Sequence, residues 1–137
     1  MTANTKPIGV AYEDQNIIGA DRVYVDSELG YTAAAQGTVT QATSKSTAVT
    51  LNKAAGRITM NNAQILAGGV VSFTVNNSYV SANDLVILNI SGGATAASYN
   101  IWVDTMTTGA FTITVLNRSA SNLSEAIIIN FAIIHCV

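Results

Sequence analysis

The sequence has few charged residues: Lys, Arg, Asp and Glu make up 10% of its 137 residues, against about 25% in ordinary globular proteins. Its six basic residues form no Lys- or Arg-rich stripe of the kind that neutralises phosphates. We therefore exclude a nucleic-acid partner. No apolar run reaches the length of about 18 residues that spans a bilayer, and the N-terminus lacks a basic segment followed by an apolar one. We expect neither membrane insertion nor a secretory signal.

Cysteine and histidine occur once each. Cys136 has no partner for a disulfide within the chain. His135 precedes it in a predicted strand, where successive side chains point to opposite faces, so we expect no Cys-His nucleophile pair. No phosphate-binding loop, dinucleotide fingerprint or zinc-ligand spacing is present. We therefore predict no enzymatic activity, no cofactor, no catalytic residue and no metal site.

Charge is concentrated near the N-terminus. Residues 1–30 hold five acids and two bases, whereas residues 31–137 hold three acids and four bases. We interpret residues 1–36 as an N-terminal arm and linker, and residues 37–137 as one β domain. Asp21, Asp26 and Glu28 offer oxygen ligands for Ca²⁺, but their spacing matches no known calcium loop, and solvated arm charges explain them more simply.

Thr, Ser and Asn are abundant and alternate with short apolar stretches, a composition typical of strands joined by tight turns. Apolar side chains occupy every second position in residues 70–76 and 111–117, which predicts strands with one buried face. Eight strands are predicted in all, at residues 38–42, 48–51, 56–60, 70–76, 83–90, 99–105, 111–117 and 127–136. The pattern predicts an all-β, eight-stranded antiparallel β-sandwich. A jelly roll is the favoured connectivity, and an immunoglobulin-like sandwich is the alternative.

Two of these strands, residues 83–90 and 127–136, are apolar on both faces. In a two-layer sandwich such strands expose apolar surface unless something covers it. Burying one Ile contributes about 1.5–3 kcal/mol, and the few charges do little to keep the body dispersed, so we expect a homo-oligomer. A monomer whose arm folds over this surface is the alternative. The predicted interface comprises Leu85, Ile87, Ile127, Ile129, Phe131 and Ile133.

Several segments of the body also carry a resemblance to a known family. The most specific is Thr40-Gln-Ala-Thr-Ser-Lys-Ser-Thr47, followed by Val49-Thr-Leu-Asn52. The others lie at residues 56–61, 71–76, 84–88, 109–115 and 123–132. On these residues the chain resembles small bacteriophage virion proteins that serve as capsid decoration (cement) or head-fibre proteins and as modules of tail fibres. The resemblance implies a jelly-roll-like homotrimer on the outer capsid surface, bound to the major capsid protein and without enzymatic activity.

Two further expectations concern contacts. The short alternation of Arg22, Val23, Tyr24 and Val25 in the arm is our prediction for the capsid contact, made by strand addition. The alternative function is a phage tail or fibre adhesin that binds host-surface carbohydrate. In that case Tyr99 and Trp102 would form part of a sugar-stacking platform, although aromatic residues on strands more often serve packing, and loops around residues 76–81, 92–98 or 105–109 would display polar groups to the glycan.

Overall fold

A computed structural model describes residues 26–136 of the chain. These residues form one short 3₁₀ helix, Ala33–Ala35, and eight strands. The strands are β1 (Gln36–Thr40), β2 (Val49–Thr50), β3 (Ala55–Thr59), β4 (Val70–Asn76), β5 (Leu85–Gly92), β6 (Tyr99–Thr107), β7 (Ala110–Asn117) and β8 (Ile128–Ile134). Each overlaps one predicted strand, because the alternation of apolar and polar side chains marks a strand wherever one face is buried. The compact unit that contains them begins at Tyr31.

The eight strands form two four-stranded sheets packed face to face. Sheet A has the strand order β1-β3-β8-β5, and sheet B has the order β2-β4-β7-β6. The predicted eight-stranded β-sandwich is therefore confirmed. Along the chain the strands alternate between the sheets from β1 to β6, and the tight β6–β7 turn is the one direct hairpin among the described residues.

The expectation that all strands run antiparallel needs a correction. β1 pairs with β3, and β2 pairs with β4, in parallel. The chain leaves β1, passes through β2 in the other sheet and returns to β3, and a crossover of this kind brings the second strand back in the same direction. The jelly-roll connectivity, which joins antiparallel strands in Greek keys, does not describe these two pairs.

The core lies between the inner faces of the two sheets. Strand β7 contributes Phe111, Ile113 and Val115, each at most 1% exposed, at every second position. The Phe111 ring meets the Phe131 ring of sheet A edge to face, with the ring centroids 5.5 Å apart. This contact joins the two middle strands, β7 and β8, across the interior.

Gly56 allows the sheets to approach closely at one end of the core. A side chain at this position would lie 2.5 Å from the Leu51 Cδ2 atom and 2.9 Å from the Phe131 ring. Both distances are shorter than van der Waals contact, so a larger residue would force the core apart. Gly56 therefore sets the thickness of the sandwich beside β1.

Candidate functional site: the outer faces of the two sheets

The outer face of sheet A carries an exposed apolar patch along its β5 edge. Leu85 is 58% exposed, Ile87 56% and Ile134 47%. The register places Leu85 opposite Ile134 and Ile87 opposite Ala132, so these side chains form one contiguous surface, called here the β5 patch. The prediction that Leu85 and Ile87 lie on an outer apolar surface agrees with this placement.

The other four predicted interface residues lie elsewhere. Ile127, Ile129 and Ile133 are fully buried, and Phe131 is 3% exposed. All four face sheet B inside the sandwich and pack in its core. The prediction of these four as interface residues is therefore wrong. They lie on the inner face of β8 or directly before it, and the sequence does not reveal which of two apolar faces turns inward.

Next to the β5 patch, the same face of sheet A holds a trough of about 430 Å³. Arg57 lines it, and its Nε donates a hydrogen bond to Asn130 Oδ1 at 3.2 Å. Ser91 Oγ donates to the same oxygen at 3.1 Å, which holds the Asn130 amide in place. Gln36 and Thr38 lie along the β1 side of the trough. The sequence contained no signal for it, since it depends on the register of three strands, β1, β3 and β8.

The outer face of sheet B is richer in hydroxyl groups. Trp102 is 39% exposed, and in the register it lies beside Thr114, which in turn lies beside Ser72. The hydroxyls of Ser72 and Thr114 are 2.8 Å apart and hydrogen-bonded. Asp104 is the extra residue of a β-bulge in β6, and its side chain is exposed.

The structure separates the two aromatic residues of the predicted sugar platform. Trp102 is on the outer face, but Tyr99 is only 8% exposed and packs against the core. The Tyr99 hydroxyl donates to Glu125 Oε2 at 2.7 Å, and Thr95 Oγ1 donates to Glu125 Oε1 at 2.5 Å. A platform made of both rings is therefore wrong, because residues an odd number apart on a regular strand point to opposite faces.

Glu125 is the centre of a polar cluster at the end of the sandwich where β6 begins. Hydrogen bonds from Thr95 and Tyr99 hold the pKa of its carboxyl below the usual value. Burial and the bond to Glu125 raise the pKa of the Tyr99 hydroxyl well above its usual value. The buried Lys45 ammonium donates to the backbone oxygens of Asn61 and Glu125, and burial lowers its pKa. Among the described residues, this cluster leaves no buried side-chain nitrogen or oxygen without a hydrogen-bond partner.

Asp84 and His135 meet where β5 begins and β8 ends. The buried Asp84 carboxylate accepts hydrogen bonds from Ser81 N at 2.8 Å and Cys136 N at 3.1 Å, and its Oδ2 lies 2.9 Å from His135 Nδ1. The bond from the Ser81 amide, joined by those from Cys136 and His135, outweighs the effect of burial and holds the pKa of Asp84 well below its usual range.

This pair resembles two members of a catalytic triad, but none of the described residues places a nucleophile beside it. No described hydroxyl or thiol forms a hydrogen bond with the His135 ring, and the Cys136 thiol instead lies 3.9 Å from the carbonyl oxygen of Ile134, two residues earlier. The geometry is that of a clamp which ties the C-terminal segment to the turn before β5.

The loops proposed for glycan contact divide between the two ends of the sandwich. Asn77 N donates to Gly109 O at 2.9 Å, and Gly109 N donates to Val80 O at 3.0 Å, so loops 76–81 and 105–109 are adjacent. The third loop, residues 92–98, leads into the opposite end of β6. Loops 76–81 and 105–109 therefore share one end of the sandwich, and loop 92–98 lies at the other end.

The predicted capsid contact, Arg22, Val23, Tyr24 and Val25, lies outside the described residues, as does Asp21 of the acidic group. Between residues 26 and 136, no three His, Cys, Asp or Glu side chains come close enough together to hold a metal ion. In the same part of the chain, no helix is long and apolar enough to span a membrane.

Comparison with known proteins found no family model, no curated protein and no solved structure significantly similar to this chain. The outer faces of sheets A and B are therefore the features on which a functional proposal rests.

Proposed function

We propose that the protein is a structural component of a bacteriophage virion, which decorates and cements the capsid as a homotrimer bound to the major capsid protein. The observation that carries this proposal is the β5 patch, whose three large apolar side chains are each about half exposed. Apolar surface of this kind on a soluble domain is typical of a protein interface. The trimeric state and the location on a virion are taken from the resemblance of residues 37–134 to phage decoration proteins.

The proposed mechanism depends on repetition. A trimer at a local threefold position presents three copies of one capsid-binding surface, and the second and third contacts form at high effective concentration after the first. Modest contacts by each chain then add up to firm attachment. The arm residues Arg22, Val23, Tyr24 and Val25 remain the proposed contact with the capsid protein.

The oligomeric state is the first test. Multi-angle light scattering of the purified protein at micromolar concentration should give the mass of three 14.2 kDa chains. Immunogold labelling of intact virions with an antibody against the protein should then decorate the head. A monomer in solution, or labelling confined to the tail, would contradict the proposal.

The arm contact has its own test. Replacing Val23 and Val25 together by Asp should leave the trimer intact and abolish co-sedimentation with undecorated phage heads, because charged side chains disrupt strand addition through an apolar alternation. The same double change at Ile17 and Ile18, also in the arm, is the matched control and should bind normally. Equal binding by both variants would refute this contact.

The second candidate function is that of a tail or fibre adhesin for host carbohydrate. The partly exposed Trp102 ring on the hydroxyl-rich face of sheet B favours it, because an exposed indole stacks on sugar rings. A glycan-array signal that is lost in Trp102→Ala and retained in Tyr31→Ala, an exposed aromatic residue away from sheet B, would support the adhesin. Absence of any glycan signal for the wild-type protein would count against it.

A further inference from the structure

Arg57 supplies the positive charge of the trough on sheet A, and its side chain is held in one orientation. Its Nε donates to Asn130 Oδ1 at 3.2 Å, and Ser91 Oγ donates to the same oxygen at 3.1 Å. The two terminal nitrogens of the guanidinium form no hydrogen bond or ion pair with any residue between 26 and 136. No acidic residue is among the described residues that line the trough. The guanidinium therefore presents an open edge to a carboxylate, which it binds bidentately.

The trough is hollow because small residues lie in the middle of the sheet. Ala55 of β3 is paired with Ala132 of β8, so each adds only a methyl group to the outer face at this point. Gln36 lies beside Ala55 on β1, and Arg57 is two residues further along β3 on the same face. The space of about 430 Å³ is within the usual range of small-molecule sites. A single sugar unit is smaller than the drug-sized ligands that such sites hold, so it fits.

The other polar side chains of the trough supply both hydrogen-bond donors and acceptors. Asn130 Oδ1 already accepts from Arg57, which leaves the Asn130 amide nitrogen to donate to a ligand. Gln36 is held the other way round, because its Nε2 donates to Tyr31 O at 2.8 Å and leaves its Oε1 to accept. The Thr38 hydroxyl, which also lines the trough, both donates and accepts. A ligand that satisfies all three must carry hydroxyl groups as well as a carboxylate.

This set of groups distinguishes a sugar acid from an acidic side chain. The carboxylate of an Asp or Glu only accepts hydrogen bonds, so it would leave Gln36 Oε1 without a donor from the ligand. A hexuronate, the acidic sugar unit of many polysaccharides, carries one carboxylate and several hydroxyl groups on one ring. The apolar C–H groups of that ring suit the methyl group of Ala55 in the hollow. The trough therefore matches a hexuronate in charge, in hydrogen-bonding groups and in size.

We infer that the trough on sheet A is a binding site for a hexuronate unit, whose carboxylate pairs with Arg57 while its hydroxyl groups bind Gln36 and Thr38. The whole trough belongs to one chain and lies toward β1, whereas the β5 patch follows the opposite edge of the sheet. The inference thus goes beyond the proposed capsid function and does not depend on the homotrimer. It is also separate from the adhesin surface, since Trp102 lies on the other sheet.

An NMR titration of the isotope-labelled full chain tests the site. D-glucuronate and D-galacturonate should give saturable shifts at the backbone amides of Gly37, Gly56 and Phe131, which line the trough. The dissociation constant should be on the order of 1 mM, as expected for a ligand of this size. D-glucose and D-galactose, the matched neutral sugars, should bind at least about tenfold more weakly, because they lack the charged group.

Three variants separate the carboxylate contact from the hydroxyl contact. Arg57→Gln should weaken uronate binding at least about tenfold, and Arg57→Lys, which keeps the charge but loses the planar fork, should be intermediate. Thr38→Val should weaken binding a few-fold, because it removes one hydroxyl from an exposed position. Arg118→Gln, which changes an exposed arginine in the loop after β7, is the matched control and should bind as wild type.

Several outcomes would overturn the inference. These are the absence of saturable shifts with both uronates, shifts confined to another surface, and neutral sugars that bind as tightly as the uronates. The amide of N-acetylglutamate presents a Glu side chain without a sugar ring and should bind more weakly than the uronates. Equal binding would assign the trough to an acidic side chain of a protein and would also overturn the inference.

The test does not depend on one variant or on the oligomeric state. If Arg57→Gln fails to fold, as judged by the dispersion of its amide signals, the milder Arg57→Lys and the location of the wild-type shifts decide the outcome. A wild-type monomer in light scattering would contradict the homotrimer and leave the hexuronate site standing. Loss of uronate binding only in Trp102→Ala would place the sugar on sheet B and overturn the inference.

Discussion

The two faces of β8 carry side chains of the same kind in opposite surroundings. On the inner face, Ile129 and Ile133 are fully buried against sheet B. On the outer face, Ile128 is partly buried and Ile134 is 47% exposed. The difference shows that an apolar side chain acquires its role from what packs on it, and that the same strand can supply a core on one side and an exposed apolar surface on the other.

The neighbouring pair Ile133 and Ile134 gives the largest expected difference. Ile133→Ala should lower the free energy of unfolding by about 2–5 kcal/mol, because it leaves a cavity in a closed core. Ile134→Ala removes the same atoms from a half-exposed position and should cost less than about 1 kcal/mol. Guanidinium unfolding at one protein concentration, with both variants in the same association state, measures the two values. Equal losses would contradict the assignment of inner and outer faces.

The Asp84 clamp should have an intermediate effect that depends on pH. The pKa of Asp84 is lower in the folded protein than the usual value near 4, so the ionised carboxylate stabilises the fold at neutral pH. This contribution is present above pH 4 and is lost as the pH falls further. We therefore expect Asp84→Asn to lower the melting temperature at pH 7. The difference in melting temperature between variant and wild type, called here the gap, should narrow in acid.

Thermal unfolding followed by circular dichroism between pH 7 and pH 2 tests this expectation. Asp26→Asn changes an exposed aspartate outside the sandwich and is the control, for which we expect no change in melting temperature at any pH. A gap that stays constant down to pH 2 would show that the charge of Asp84 does not contribute to stability. Glu125, whose pKa is also lowered, then remains as a source of acid sensitivity in both proteins.

The smallest expected effect on folding is at the β5 patch. Ile87→Thr should change the free energy of unfolding of a single chain by no more than about 0.5 kcal/mol, because the side chain is already 56% exposed. It should nevertheless make the oligomer dissociate at higher protein concentration in light scattering. Leu66→Thr alters a similarly exposed residue in a loop and should leave association unchanged. Identical dissociation of both variants would argue against the β5 patch as an interface.

Much of the fold was predictable because burial on one side leaves a period of two in the sequence. β4 and β7 show this most clearly: their observed ranges, Val70–Asn76 and Ala110–Asn117, match the prediction at all but one boundary residue. The parallel pairing of β1 with β3 was not predictable, since it depends on where the chain returns after visiting the other sheet. Nor was Gly56 recognisable as a spacer between sheets.

The sequence by itself determined the strand positions, the all-β class and the low charge of the body. Only the tertiary structure decided which apolar faces are buried. A strand that is apolar at every position shows no alternation, so its sequence does not tell which face turns toward the core. It also brought Asp84 to His135 and Arg57 to Asn130, pairs that are far apart along the chain. Their contact depends on the pairing of β8 with β5 and β3, and that register results from packing all eight strands at once.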